Sequence, residues 1–486
     1  MEQASSLSVG NDGQSRVPRG VLTKSFSFMS IAFKNRHKVS FMVDPETIFK
    51  GKKITVMGLG LLGRGLGDTL FLVRCGARVT VTDLKPADQL APSLKKLEGL
   101  PVTFHLGGHD EADFVNADMI LRNADVPRSS KFLKMALEHG VPVEMDESLF
   151  CKNFPGEVVG ITGTRGKTTT TTLVHKMLSE AKPRVFLAGN ILGHATLPLL
   201  DRAGKDATVV LELSSWQLQG FHDAELSPHA AIFTNIYEDH LNRYASMDDY
   251  VHDKKAIFLY QQAGDFCVFN GDQARTAELA GEAPAGKSFF HVEDVPQSWN
   301  IRLPGRHNRE NIAAAICLAR KMQVPEQAVR STVEGFAGVE HRLQWLGEKN
   351  GVGFINDATS TTPVAGCAAL DSTEGKRILL IAGGSDKKLD LRPFAAAAVS
   401  RSFRIALLEG DATETLYRNI AEAGGAQKVV GRFGNLENAV RRLLEEAELG
   451  DVVLLSPACA SFGMFRNEFH RGETFIRIVR EIIDNA

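Results

Sequence analysis

Short apolar runs recur along this chain, each followed by a longer stretch in which apolar residues return every three or four positions. The runs are Ile54-Thr-Val-Met57, Ala77-Arg-Val-Thr-Val-Thr-Asp83, Val158-Val-Gly-Ile-Thr162, Val209-Val-Leu-Glu212 and Ala230-Ala-Ile-Phe-Thr-Asn235. The pattern restarts with Val352-Gly-Phe-Ile-Asn-Asp357, Arg377 to Gly384, Arg404-Ile-Ala-Leu-Leu408 and Asp451-Val-Val-Leu-Leu-Ser456. Runs of about four to eight residues set between helical segments predict buried strands of parallel sheets. The helical spacing is plain in Leu173, Val174, Met177 and Leu178, and again in Ile312, Ala315 and Ile316, which fall on one face of a helix. The predicted fold class is therefore α/β.

Length turns that alternation into several units. At 486 residues the chain is long enough for roughly three domains at about 150 residues each. With 43% hydrophobic and 23% charged residues it has an ordinary globular balance. Lys and Arg number 56 against 58 Asp and Glu, so the basic footprint of a nucleic-acid binder is missing. The six cysteines are scattered without a CxxC pair, which fits packing thiols in a reducing, cytoplasmic compartment better than disulfides or zinc. Residues 1–48 are Ser-rich and basic. Their one apolar run, Phe26 to Phe33, is too short to span a bilayer and is followed by Lys34-Asn-Arg-His-Lys38 where a cleavage site would need small residues. This stretch reads as a disordered or over-called extension, with Met42 a sensible start, and no membrane insertion is expected.

The most informative stretch is Gly163-Thr164-Arg165-Gly166-Lys167-Thr168-Thr169, placed between a predicted strand and a predicted helix. Small residues let backbone N–H groups turn onto phosphates, the helix start adds positive potential, Lys167 can reach the β/γ oxygens and Thr168 can hold Mg²⁺. The turn is shorter than a standard Walker A, since the residue five before Gly166 is Ile161. A surface lysine in a glycine-rich turn is the plainer reading, outweighed here by the strand, loop and helix context.

A second glycine signal opens the chain. Gly58-Leu-Gly60-Leu61-Leu62-Gly63 follows the first strand, and Asp83 ends the second, twenty positions after Gly63. That is a dinucleotide-type fingerprint, with Asp83 and the neighbouring Lys85 placed for a ribose and its phosphates. Alone it would suggest a nicotinamide oxidoreductase. A nucleoside diphosphate sugar presents the same pyrophosphate and ribose, so the motif sets a ligand class and not a reaction.

In the middle segment, strand ends carry residues suited to divalent ions. Glu212 closes one apolar run, and His240 follows another in Tyr237-Glu-Asp239-His240. With the Thr168 hydroxyl they would suit ions bridging ATP phosphates. Without the phosphate loop, Glu212 would read as a paired carboxylate and His240 as a loop histidine.

Six ordered motifs resemble those of the Mur ligase family over residues 45–486. They are Gly163-Thr-Arg-Gly-Lys-Thr-Thr, Glu212-Leu-Ser-Ser-Trp-Gln, Asn235 to Tyr244, Pro304-Gly-Arg-His-Asn308-Arg-Glu-Asn311, Glu340-His-Arg342 and Leu455-Ser-Pro-Ala-Cys-Ala-Ser461. The resemblance implies three domains. These are an N-terminal Rossmann-like domain over 49–147 for a UDP-sugar, a central P-loop ATPase-type parallel sheet over 148–338, and a C-terminal Rossmann-like domain over 339–486 for the incoming amino acid. It implies that ATP phosphorylates the alanine carboxylate of UDP-N-acetylmuramoyl-L-alanine and that the amine of glutamate then attacks the acyl phosphate, in peptidoglycan precursor synthesis. A monomer is expected.

Carried over residue by residue, the resemblance places ATP at Gly163–Thr169, Asn308, Asn311 and Arg342. It places two Mg²⁺ ions at Thr168, Glu212, His240 and a carbamylated lysine, and substrate at Asn190 in addition to the N-terminal turn. The carbamylated lysine falls in Tyr250-Val-His-Asp-Lys254-Lys255. Lys254 is preferred by its distance from the tyrosine, while a shift of one residue would give Lys255. Carbamylation needs the neutral amine, which burial or nearby cations favour. Thr361, Lys387 and Ser461 align with glutamate-binding positions, Lys387 as partner of the side-chain carboxylate. The chain departs from the family pattern at Asp357-Ala-Thr359-Ser-Thr361-Thr-Pro363, where Thr359 replaces a lysine, at Glu468 in place of an aromatic residue, and at Arg165 in place of asparagine. D-glutamate is the expected amino acid, with an L-glutamate variant as the alternative.

Overall fold

The computed structural model describes residues 44–60, 63–191, 195–238, 244, 246–303, 305–373, 375–386 and 389–484. Leu61, Leu62, His240 and Lys387 lie outside these, as do residues 1–43. The extension expected to reach residue 48 overlaps a short helix, Pro45–Phe49, capped by Asp44. Its Phe49 is fully buried edge-on against Phe71, 5.7 Å between ring centroids.

Three sheets follow in chain order. The first contains β1 (Lys53–Met57), β2 (Arg78–Asp83), β3 (Val102–Leu106), β4 (Met119–Arg122) and β5 (Val143–Glu144), in the all-parallel order β3-β2-β1-β4-β5. The central sheet contains β6 (Glu157–Thr162), β7 (Val185–Gly189), β8 (Thr208–Glu212), β9 (Ala230–Phe233), β10 (Phe266–Asn270) and β11 (Gly286–Phe290). Its order is β11-β10-β9-β6-β8-β7, again all parallel. The last sheet contains β12 (Gln344–Lys349), β13 (Val352–Asn356), β14 (Ile378–Gly383), β15 (Ser402–Leu408), β16 (Val429–Phe433) and β17 (Val452–Leu455), ordered β12-β13-β17-β14-β15-β16. Here β12 runs antiparallel to β13. Its sequence, Gln-Trp-Leu-Gly-Glu-Lys, is half-polar along an edge, so it lacks the continuous apolar run that marks the buried parallel strands.

Alternation along each strand decides which core it feeds. Val158 and Val209 face a core shared with the first sheet, whereas Val159, Ile161, Val210 and Ile232 face the helices Lys167–Ala181 and Arg306–Lys321. The first and central sheets are thereby joined through one hydrophobic core, and Arg74 with Asp201 and Arg128 with Asp223 add ion pairs across the same junction. Each fully buried valine or leucine at such a junction contributes about 1.5–3 kcal/mol. In the last sheet Leu380 and Ala382 face one layer while Leu379 and Ile381 face the other. Among the described residues no helix is long and apolar enough to cross a membrane.

Candidate active site

Loops at the carboxyl ends of parallel strands are where open α/β sheets bind ligands. In the central sheet β9, β6, β8 and β7 are successive neighbours. Their ends therefore bring together the phosphate loop after β6, Glu212 at the end of β8, Asn190 just beyond β7 and Asn235 beyond β9.

The phosphate loop is clamped from the β9 side. Asn235 accepts the Arg165 N–H at 2.8 Å and returns a hydrogen bond from its own amide to the Arg165 carbonyl at 3.2 Å. The Thr234 hydroxyl also donates to that carbonyl at 2.7 Å, and the Thr164 N–H donates to the Asn235 carbonyl at 2.9 Å. Gly166 has φ 78° as the helix begins, and a Cβ there would collide with Asn311 Oδ1. Asn311, 5% exposed, also accepts from the Thr170 hydroxyl at 3.4 Å. It thus buttresses the loop from the helix Arg306–Lys321, where Asn308 is buried as well. Lys167 curls back so that Nζ donates to the Gly163 and Thr164 carbonyls, each at 3.0 Å. Thr168 and Thr169 lie half-buried in the first turn, and Arg165 is exposed at the tip.

The two candidate lysines separate cleanly. Lys254 is 1% exposed, with Nζ donating to the Gly163 carbonyl at 2.9 Å and the Thr162 hydroxyl at 3.3 Å, 4.8 Å from the Tyr250 ring centroid. Lys255 points away and pairs with Glu282 at 2.6 Å. Tyr250, whose hydroxyl lies 3.1 Å from the Thr164 hydroxyl, is a supporting residue that sequence reading used only as a landmark.

Glu212 is 2% exposed. Its Oε1 accepts from the Asn190 side-chain amide at 3.0 Å, and its backbone carbonyl accepts from the Asn190 N–H at 2.8 Å. Glu212 Oε2 is buried without a hydrogen-bond partner among the described residues. A buried carboxylate oxygen lacking a donor is costly unless a cation serves it, so this position fits a divalent ion. Among the described residues no three His, Cys, Asp or Glu side chains gather around one such point. An ion here would depend on Thr168 and on oxygens brought by its ligand.

In the first sheet, Gly58 has φ 94°, and Gly65 is so close to the Gly58 and Leu59 carbonyls that a Cβ would clash with both. The glycines thus serve a tight turn. Both Asp83 oxygens accept backbone N–H groups, from Gly60 at 3.2 Å and Lys85 at 2.9 Å. The acidic residue read as a ribose ligand is therefore also a latch on the glycine turn.

In the last sheet the ends of β13, β17 and β14 are neighbours, which places Thr361 and Ser461 on adjacent loops. Ser461 is buried with its hydroxyl unpartnered among the described residues. Sequence reading missed Arg471. Fully buried, it donates to the carbonyls of Ala358, Cys459 and Ala460 and so ties both loops together. Burial lowers its pKa to about 10. Arg342 is exposed between His341 (φ 61°) and Leu343 (φ 45°), both left-handed, and the Leu343 N–H donates to Asp357 at 3.1 Å.

Asp357 itself is pushed up to about 7, chiefly by burial, against hydrogen bonds from Ser456 and the Leu343 backbone. A carboxyl raised in the folded state stabilises the fold below the ordinary carboxylate range and loses that contribution as pH climbs through about 7. Asp357→Asn is expected to remove this component, seen as a flatter thermal midpoint between about pH 4 and about pH 8. A slope equal to that of the unsubstituted protein would count against it.

Three family descriptions match successive parts of this architecture. "Mur ligase MurD-like, N-terminal domain" covers 52–144, "Mur ligase middle domain" 161–294 and "Mur ligase, glutamate ligase domain" 341–459. The chain belongs to the Mur ligase family. Within it, the chain is 40% identical over 460 residues to the UDP-N-acetylmuramoylalanine--D-glutamate ligase of Roseiflexus sp. (strain RS-1), covering 88% of this chain and 98% of that protein. It is 35% identical over 448 residues to the enzyme of the same name from Geobacter metallireducens, covering 87% and 96%. Among solved structures, the UDP-N-acetylmuramate-alanine ligase MurC of Thermotoga maritima shares the fold with a TM-score of 0.58 at 20% identity, covering 90% of this chain and all of that one. The MurF ligase of the same organism, solved in complex with ADP, gives 0.52 at 19% identity, covering 90% and 97%.

Proposed function

We propose that this chain is an ATP-dependent amide ligase that adds D-glutamate to UDP-N-acetylmuramoyl-L-alanine in peptidoglycan precursor synthesis. The observation that carries the reading is the convergence of the clamped phosphate loop, buried Lys254 and the half-satisfied Glu212 on neighbouring strand ends. Mur ligases are ATP-dependent, and that convergence is what a phosphoryl transfer to a carboxylate needs, since such chemistry rests on positioning and charge neutralisation.

The alanine carboxylate oxygen attacks the γ-phosphorus, the bond to the β-bridging oxygen breaks, and ADP leaves. The uncharged amine of glutamate then attacks the acyl carbon, the tetrahedral intermediate expels phosphate, and the nitrogen gives up a proton as the amide forms. Backbone N–H groups of Gly163–Thr169 cradle the phosphates, and Lys167 swings from its loop carbonyls to the β/γ oxygens. Asn308 and Asn311 keep the loop and the adenine side in register, and Arg342 reaches the phosphates from the last domain. Mg²⁺ would be held by Thr168, Glu212 and His240, with a carbamate on Lys254 serving a second ion, and would supply neutralisation of the phosphate charge. Glu212 Oε2 without a donor supports the first assignment, and the burial of Lys254 beside the loop supports the second.

The domain roles follow the strand ends. Residues 49–147 would hold the UDP-sugar through Gly58, Gly60, Leu61, Leu62, Gly63, Asp83 and Lys85, with Asn190 beside its reacting end. Residues 148–338 would hold ATP, and residues 339–486 glutamate, through Thr361, Lys387 and Ser461. Asp83→Ala is expected to raise KM for the UDP-sugar about tenfold or more, because it removes a ligand and unlatches the Gly60 turn. KM for ATP should stay within about twofold; an equal rise in both would contradict this division.

The deciding assay is phosphate release from ATP with UDP-N-acetylmuramoyl-L-alanine, adding D-glutamate or L-glutamate separately and weighing each product by mass spectrometry. Release dependent on the D-isomer, with a product one glutamyl unit heavier, is the expected result. Release only with the L-isomer, or none with either, would overturn the reading.

A further inference from the structure

A chain of polar contacts that the proposed chemistry does not use runs from the end of β4 to the helix that carries Lys254. Arg122, the last residue of β4, is 2% exposed. Its Nη1 donates to the Val126 carbonyl at 3.3 Å, while Nη2 meets the Met145 sulfur and donates to Gln219 Oε1 at 3.0 Å. Gln219 stands on the helix Ser215–Asp223, which follows the strand ending in Glu212. Its Nε2 donates to Asp253 Oδ2 at 2.7 Å, an oxygen that also accepts the Tyr244 hydroxyl at 2.9 Å. Asp253 is 6% exposed and directly precedes Lys254 on the helix Met247–Lys255.

A buried charge is costly unless something of opposite sense faces it. Arg122 and Asp253 do not touch, and the Gln219 amide joins them, its carbonyl toward the cation and its NH₂ toward the anion. Both ends hold the amide in that sense, because a flip would set donor against guanidinium and oxygen against carboxylate. Asp223, one turn further along the same helix, pairs with Arg128, so the loop after β4 is fastened to one helix face at two points. A cavity of about 750 Å³ lies between loop residues 124–129 and the side chains of Tyr244 and Asp253. Hydrogen bonds rather than side-chain packing therefore make the connection at this place. Successive residues of a helix point about 100° apart, so drawing Asp253 toward Gln219 turns Lys254 toward the phosphate loop, where its Nζ donates to the Gly163 carbonyl at 2.9 Å.

We propose that Gln219 is a positioning residue which locks the loop after β4 to the helix bearing Lys254, so that the UDP-sugar side and the phosphate side of the site keep one register. The amide is suited to this because it offers an acceptor to Arg122 and a donor to Asp253 at the same time. A carboxylate in its place would satisfy the first and oppose the second. The kinetic consequence rests on the proposed function, whereas the link between Arg122 and Asp253 stands without it.

The test exchanges amide and carboxylate. Gln219→Glu alone sets two buried carboxylates against each other, and it should raise KM for the UDP-sugar and lower kcat by about tenfold each, a size ordinary for members of one hydrogen-bond network. KM for ATP should stay within about twofold. Adding Asp253→Asn restores a donor facing an acceptor, with the carboxylate now beside Arg122, and should return both constants to within about threefold of the unsubstituted enzyme. Thermal midpoints without ligands should fall with Gln219→Glu and recover in the double variant. A double variant no better than Gln219→Glu, or a KM for ATP that rises together with that for the UDP-sugar, would overturn the proposal. Should Gln219→Glu fail to fold, recovery of a folded protein on adding Asp253→Asn supports the link, and failure of both variants overturns it. Absence of turnover in the unsubstituted protein would reject the proposed function, and the order of the midpoints then decides the link alone.

Discussion

Lys167→Ala is expected to lower turnover by about 10³-fold or more, a loss of roughly 4 kcal/mol in transition-state stabilisation. Lys167 Nζ donates to two loop carbonyls at 3.0 Å each, from which side-chain rotation alone would bring it to the β/γ oxygens. The loop itself is held by Asn235, Thr234 and Asn311, none of which depends on Lys167. The variant should therefore fold normally and bind the UDP-sugar with unchanged affinity, while single-turnover formation of acyl phosphate disappears. Measuring both by rapid quench and by calorimetry separates the effects. Turnover near that of the unsubstituted enzyme would remove the phosphate-loop assignment.

Lys254→Ala is expected to cost about 10²-fold to 10³-fold in kcat, the size seen when a charge-stabilising group is deleted from a closed site. If the working side chain is a carbamate, added acetate or a similar short carboxylic acid should restore part of the lost rate. Rescue should require bicarbonate-free conditions no more than any other, since the added acid replaces the carbamate. Lys255→Ala is the matched control. Its ammonium joins Glu282 near the surface, an interaction contributing about 1 kcal/mol at most, so turnover should hold within about twofold. Comparable losses in the two variants, or no rescue of Lys254→Ala across a concentration series, would move the role away from Lys254.

Much of the fold was legible because buried parallel strands are written as continuous apolar runs, and the runs at Ile54, Ala77, Val158, Val209, Ala230, Val352, Arg377, Arg404 and Asp451 all became strands. Edge strand β12 was not, since a strand with one face near solvent carries a half-polar sequence. The glycine turns were legible for a related reason. Left-handed φ and close side-chain neighbours, Asn123 at Gly58 and Asn311 at Gly166, favour glycine there, so local conformation wrote itself into residue type.

What the sequence by itself determined was therefore the set of parts: three α/β units, two phosphate-type turns, and the carboxylates and lysines that follow particular strands. Those are local properties, set by periodicity and by short-range sterics. Tertiary structure alone decided which of two adjacent lysines enters the site, because a rotation of about 100° per residue along a helix sends Lys254 to the phosphate loop and Lys255 to Glu282. It alone revealed Arg471 as the tie between two loops, and Glu147 as the partner of Gln217 across seventy residues of chain. Such contacts follow from how separate elements pack, and a buried polar group finds its partner only when the chain has closed around it.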